Sequence, residues 1–216
     1  MKFCPLCHTS ESSQSSLHEY YKDCKRTYMQ CDCCDLVSVA DEFLLSSKEE
    51  KSIYDLHDNN SDDMGYRQFL SRAFEPLKEK LSNDATGLDF GCGPGPTISK
   101  MGEELNIKIE DYDLYYFNRP ELLQKKYDFV IMTEVIEHIA ETASLLQQLD
   151  ALLKQNAILA IMTKRVIDQQ RFKNWHYKND LTHIRFYSIK TFEWIAKRFN
   201  WQLEIIDEDV VFFYKN

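Results

Sequence analysis

Three groups of residues have types and spacings that could do chemistry. Asp89 stands two positions before Gly91-Cys92-Gly93-Pro94-Gly95, three glycines alternating with small or rigid residues at the end of a short apolar run. Glycine at every second position lets main chain turn sharply and lets a ligand approach with no Cβ in the way. Near the amino terminus, Cys4-Pro5-Leu6-Cys7 and Cys31-Asp32-Cys33-Cys34 are two C-x-x-C knuckles separated by 23 residues. Thiolates at two such turns can close a tetrahedral shell around Zn²⁺. The third group joins Glu134-Val135-Ile136-Glu137-His138 to a later stretch, Asp180-Leu181-Thr182-His183. There carboxylates and imidazoles at close spacing suit proton transfer.

The glycine group differs from the dinucleotide fingerprint G-x-G-x-x-G, because its third glycine arrives one position early and Pro96 takes the fingerprint place. D-F-G-C-G-P-G resembles motif I of the class I S-adenosylmethionine-dependent methyltransferases. Y-D-F-V-I-M-T-E-V-I-E-H, from Tyr127 to His138, resembles motif IV of their small-molecule members, those of quinone and natural-product pathways included. The first knuckle pair resembles a zinc ribbon. The resemblance implies that Asp89 helps hold the methionine ammonium beside Gly91, Cys92, Gly93 and Gly95. It also implies that Thr133 and Glu134, at a strand tip, face the transferring methyl. Asp113, 18 residues past Gly95, is close to the ~20 expected of a ribose-binding carboxylate. Asp111 shares its odd-even phase, and the resemblance favours Asp113, with Leu114 beside it over the adenine. Helices before motif I commonly close over this cofactor, which makes Tyr54, His57, Asn59 and Tyr66 candidate lid residues. The ribbon ligands are Cys4, Cys7, Cys31 and Cys34, with Cys33 and His8 as lesser alternatives and the metal structural.

The elements that must position these groups follow in order. Residues 1–45 form the ribbon-like segment, with short strands around Tyr20-Tyr21-Lys22, Thr27-Tyr28-Met29-Gln30 and Leu36-Val37-Ser38-Val39. Residues 46–85 make a helical lid and linker: Ser46 is a fair N-cap, and apolar residues recur at helical spacing from Tyr66 to Leu81. Residues 86–216 make the catalytic domain. The fold class is α/β, a Rossmann-like, mostly parallel sheet of the class I methyltransferase type with an antiparallel last strand. Only 14 residues separate Asp113 from Asp128, where the family fits a helix and a strand. The third strand is therefore missing, or Asn118 to Lys126 makes one abbreviated element. Arg165 to Ser188 is a long connection rich in aromatic and titratable side chains, of the kind that carries function. Trp175, Tyr177 and Phe186 are candidate walls for a flat acceptor. His183 is the general-base candidate, Asp180 its orienting partner, and His138 and Glu134 further catalytic candidates.

Composition bounds the partners. The 216 residues are 44% hydrophobic and 28% charged, as in a globular protein. All the cysteines but Cys92 fall within the first 34 residues, which in a reducing compartment points to metal rather than disulfides. No apolar run approaches the ~20 residues that span a bilayer, and the first residues lack the apolar centre of a signal peptide. These features lead us to expect a cytoplasmic location. A net charge of −9 disfavours nucleic acid and anionic membranes. The expected partner is a small-molecule methyl acceptor, with S-adenosylmethionine and Zn²⁺ as cofactors.

Overall fold

The computed structural model describes residues 3–8, 17–56 and 59–216. Strands β1 (Leu17–Lys22), β2 (Thr27–Cys31) and β3 (Val37–Val39) form an antiparallel sheet in the amino-terminal segment. Helices α1 (Ser47–Tyr54) and α2 (Met64–Lys78) follow. Ser46 caps α1 in a capping box with Glu49, and the Asp63 side chain caps α2. The second sheet is entered through β4 (Thr86–Phe90), α3 (Thr97–Glu104) and β5 (Lys108–Tyr112). After β6 (Tyr127–Thr133) and α4 (Thr142–Leu152), the chain runs straight into β7 (Leu153–Met162). Asn156 takes the left-handed conformation there, φ +61°, that a glycine would otherwise supply.

The long connection contains α5 (Gln169–Lys173) and a two-residue strand, β8 (Arg185–Phe186). Helix α6 (Ile189–Phe199) is capped by Ser188, and β9 (Trp201–Ile205) and β10 (Val210–Lys215) end the chain. The second sheet has the order β5-β4-β6-β7-β10-β9. Strands β4 to β7 are parallel, and β10 is antiparallel to both β7 and β9. Between β5 and β6 the chain makes only a 3₁₀ turn, Pro120–Gln124, so β5 is the sheet edge and no third strand lies beyond it among the described residues. The ten residues after Asp113 that form a small bridge and turn are too few for a crossover helix plus strand.

The two sheets are joined. β8 pairs with β3, Val37 opposite Phe186 and Ser38 opposite Arg185. One core runs from Cys4, Leu6 and Leu36 through Leu145 and Leu149 of α4 to the β6–β7 face. Another packs Tyr28, Val37 and Val39 against Phe172, Tyr177 and Phe186. Phe186 is fully buried in this second core, so the expectation that it walls the acceptor is corrected: strand pairing turns its ring into the seam. Trp175 packs there too, 5.9 Å from Phe186 between ring centres, rather than in the main cavity.

Candidate active site

At the carboxyl ends of β4, β5 and β6 lies one cavity of about 1130 Å³. A ligand is expected there in an open α/β sheet. Its first end is built by the β4–α3 turn. Asp89 ends the strand with only 2% of its surface exposed, and its Oδ1 has no hydrogen-bond partner. Burial first, then the nearby carboxylates of Asp111 and Asp113, hold its carboxyl well above the usual range. Gly91, Cys92 and Gly93 line the cavity, and Gly93 sits at φ +66°, where a side chain would be strained. Gly95 does not line it. A Cβ there would stand 1.6 Å from the Asn59 carbonyl oxygen, so its bareness admits the linker main chain rather than a ligand.

The two acids that periodicity left open are separated by their contacts. Asp113 lines the cavity; its Oδ2 accepts from Gly93 N–H at 3.1 Å and its Oδ1 from the N–H groups of Tyr115 and Tyr116 at 2.8 and 3.0 Å. Asp111 points to α3 and accepts from the Ser99 hydroxyl at 2.9 Å. Leu114, exposed, lies at the same rim. Helices α1 and α2 cover this end. Tyr66 lines it, its phenol pushed up to about 12 by burial and by the charges of Asp89, Cys92 and Glu134. Glu50 accepts from Tyr54 Oη at 2.8 Å and from Tyr115 Oη at 2.9 Å, which pins α1 onto the turn after β5. His57, the remaining lid candidate, lies outside the described residues.

The far end is made by the turn after β6 and by the long connection. Thr133 and Glu134 line the cavity at the strand tip. Glu134 is held at φ +54°, uncommon for a residue with a side chain, and its N–H donates to Met162 O at 2.8 Å. Burial, then the Glu137 carboxylate, pushes Glu134 up to about 8. The sequence left open a helical turn that would stack Glu134 under His138. The chain instead makes a short 3₁₀ turn, Ile136–His138, with Glu134 outside it. His138 and His183 lie with ring centres 4.7 Å apart. Burial, then the adjacent His138 ring, takes His183 down to about 4, and burial also lowers His138. Both rings are neutral near pH 7. Asp180 Oδ2 is 3.9 Å from His183 Nε2, beyond hydrogen-bond reach, and Asp180 Oδ1 instead accepts from the Thr182 N–H and hydroxyl at 2.8 and 2.6 Å.

The residues that shape this end include three that the sequence did not single out. Lys164 lines it, its Nζ 5.4 Å from the centre of the Tyr177 ring. Glu137 is fully buried behind the wall and accepts from Tyr177 Oη at 2.5 Å. Arg26, from the turn between β1 and β2, is 3% exposed. Its guanidinium donates to the carbonyls of Asp180, Leu181 and His183 at 2.9, 3.0 and 3.1 Å, and also to that of Lys178. A charged five-donor fork on four carbonyls fixes the loop that carries His183. Glu137 carried a faint signal, an acid flanked by Ile136 and Ile139 in an apolar stretch. An arginine between two strands carries none.

The four knuckle cysteines gather at the opposite edge of the first sheet, their sulfurs within 4.8 Å of one another. Cys4 Sγ is 3.4 Å from Cys34 Sγ, and Cys7 Sγ is 3.4 Å from Cys31 Sγ. The two turns match. His8 N–H donates to Cys4 O and Asp35 N–H to Cys31 O, with His8 at φ +57° and Asp35 at φ +62°. Cys24 and Cys33 are exposed and stand outside the group.

S-adenosylmethionine can be tested against these residues. A buried carboxylate oxygen without a partner suits an ammonium, and a side-chain-free turn beside it gives room. A second carboxylate 20 residues on, already oriented by three N–H groups, suits a diol. The fit is good, and Asp89, Gly93 and Asp113 would hold it. The methyltransferase-domain family model matches residues 63–205, well over half of the chain. Comparison with curated proteins gave no match. Among solved structures, a SAM-dependent methyltransferase from Archaeoglobus fulgidus is 17% identical, TM-score 0.53, covering 64% of this chain and 71% of its own. The mitomycin 7-O-methyltransferase MmcR is 9% identical, TM-score 0.55, covering 78% and 57%. An O-methyltransferase family protein from Burkholderia thailandensis is 12% identical, TM-score 0.51, covering 77% and 62%. Those identities establish likeness of fold, and the family match adds the activity. The chain belongs to the methyltransferase-domain family and is an S-adenosylmethionine-dependent methyltransferase.

Proposed function

We propose that the enzyme methylates a small molecule lodged at the histidine end of the cavity, and that Cys4, Cys7, Cys31 and Cys34 hold a structural Zn²⁺. The observation that carries the first part is the continuous space of about 1130 Å³ between Asp89 and His183. One drug-sized ligand occupies a pocket of roughly 300–1,000 Å³, so the space suits a donor and a compact acceptor together. When bound, S-adenosylmethionine supplies an electrophilic methyl on a sulfonium. The chain contributes placement and exclusion of water, the terms that dominate when two reactants must meet in line. Asp89 and Asp113 anchor one partner, while Thr133 and Glu134 lie between the two ends. The neutral rings of His138 and His183 present unprotonated nitrogens, which can take a hydrogen bond or a proton from an attacking O–H or N–H. Net charge of −9 favours a small acceptor over nucleic acid. For zinc, four thiolates in two matching turns fit a closed structural site, in which sulfurs at ~2.3 Å from the ion lie under 4 Å apart. We read 1–45 as the metal-folded segment, 46–85 as the lid and 86–216 as the catalytic domain, in a cytoplasmic enzyme.

Calorimetry with S-adenosylmethionine, followed by labelled-methyl transfer to fractionated metabolite pools, tests this reading. Label entering a low-molecular-weight fraction is the expected result. Turnover that needs RNA or protein would overturn the acceptor class, and donor binding without any turnover would point to a regulator.

A further inference from the structure

Apart from the cysteines, the described residues bring one more set of ligand atoms together. One atom each from Glu137, His138 and His183 lies within 4.8 Å of the other two. The set joins the turn after β6 to the long connection, 45 residues later. Each imidazole gives Nδ1 to a main-chain carbonyl: His138 to Thr182 O at 3.0 Å and His183 to Tyr177 O at 2.8 Å. A carbonyl can only accept, so in each neutral ring Nδ1 carries the proton and Nε2 keeps its lone pair. Glu137 has no exposed surface; Oε1 accepts from Tyr177 Oη and Oε2 has no hydrogen-bond partner. Electron pairs thus converge in a buried place, a costly arrangement unless a cation fills it. Imidazoles backed by carbonyls, with a carboxylate steadied by a phenol, have the outer support that metal ligands carry.

We propose that Glu137, His138 and His183 form a site for a first-row divalent cation in the wall of the acceptor end, separate from the four-cysteine site, and that the acceptor brings an oxygen ligand to it. Two imidazoles and a carboxylate suit Mn²⁺, Fe²⁺, Co²⁺ or Zn²⁺ and leave coordination positions open. Glu134, with a buried and unpartnered Oε1 on the same turn, is placed to add a fourth ligand. A nitrogen that holds a cation takes no proton, so this assignment replaces a general-base role for His183. It rests on the reading that the acceptor occupies this end.

The experiment uses the full-length, zinc-loaded protein. Metal content is measured as purified, and Mn²⁺ is then titrated in while the free-ion electron paramagnetic resonance signal is followed. Mn²⁺ prefers oxygen and nitrogen and is a poor competitor at four thiolates. Wild type should reach about two cations per chain, and His183→Ala and Glu137→Gln about one, the thiolate-bound zinc. Tyr177→Phe should keep the stoichiometry but bind Mn²⁺ about 10- to 100-fold more weakly, acting through the Glu137 carboxylate. Circular dichroism checks that each variant is folded, and the wild-type titration stands without them. A wild type that stops at about one cation, or folded variants that bind Mn²⁺ as tightly as wild type, would overturn the site. Donor affinity measured in the same samples separates the two readings. A retained donor with no Mn²⁺ uptake removes the cation site alone, whereas loss of donor binding in wild type removes the proposed function.

Discussion

Asp89→Asn is predicted to trade donor affinity for stability. Asp89 is 2% exposed, its Oδ1 has no partner, and burial and two neighbouring carboxylates raise its pKa. In donor-free protein the charged form is therefore unfavourable. The unfolded chain releases this proton near the ordinary 3.8, and the folded chain only at higher pH. Between those values the folded state holds more protons, so stability falls as pH rises through the window. The amide removes this slope and the cost of an unsatisfied buried charge, about 1–3 kcal/mol. On a chain of this length each kcal/mol moves Tm by about 2–4 °C. The donor-free variant should thus melt at least about 2 °C higher than wild type at pH 7, with a flatter pH profile. Meanwhile it loses a charged partner for the donor ammonium, worth ~1.5–3 kcal/mol, or about 10- to 100-fold in Kd. Scanning calorimetry between pH 5 and 8 and titration calorimetry at pH 7 read the two effects. A variant that melts lower yet binds the donor as well as wild type would refute the reasoning, because Asp89 would then be a structural charge.

Asp113→Asn keeps an acceptor for Gly93, Tyr115 and Tyr116 but removes the charge, and should weaken donor binding by an order of magnitude or more; an unchanged Kd takes Asp113 out of the site. Tyr177→Phe leaves a buried oxygen of Glu137 without its donor, which costs about 1–3 kcal/mol and lowers Tm accordingly; an unmoved Tm would show that the oxygen finds another donor. Arg26→Ala should speed amide hydrogen exchange across residues 178–184 while leaving the donor Kd within about twofold, and Arg26→Lys should not restore protection, because an ammonium cannot span four carbonyls. Cobalt substitution should give intense thiolate charge-transfer bands for about one ion per chain, and strong chelation should strip strands β1 and β2 of protection; a metal-free preparation with both strands intact would remove the zinc assignment.

The donor end was legible because its signals are local. Asp89 and the three glycines are adjacent in sequence, and the count between Asp113 and Asp128 already left no room for a further helix and strand. Asp111 and Asp113 could not be told apart, since both lie in the same strand phase and only the contact to Ser99 distinguishes them. Gly95 was legible as a close approach but not as an approach of Asn59, which depends on where the linker crosses. The acceptor end was half legible. Tyr177 and His183 stood out by type, yet Phe186 was misplaced because one pairing, Val37 with Phe186, decides which way its ring faces. Two-residue strands give periodicity nothing to work with. Arg26 was invisible for a related reason: its partners are main-chain carbonyls, which every residue has.

The seam between β3 and β8 sets an order of assembly. Arg26 meets its carbonyl partners about 150 residues further along the chain, and Val37 waits equally long for Phe186. During synthesis the knuckles can take up metal as soon as Cys34 has emerged, while the edge of β3 stays bare until most of the polypeptide has followed. Contacts of such sequence separation close late and slowly. The amino-terminal sheet therefore serves as a waiting template, and the loop bearing His183 acquires its final shape in one of the last events of folding.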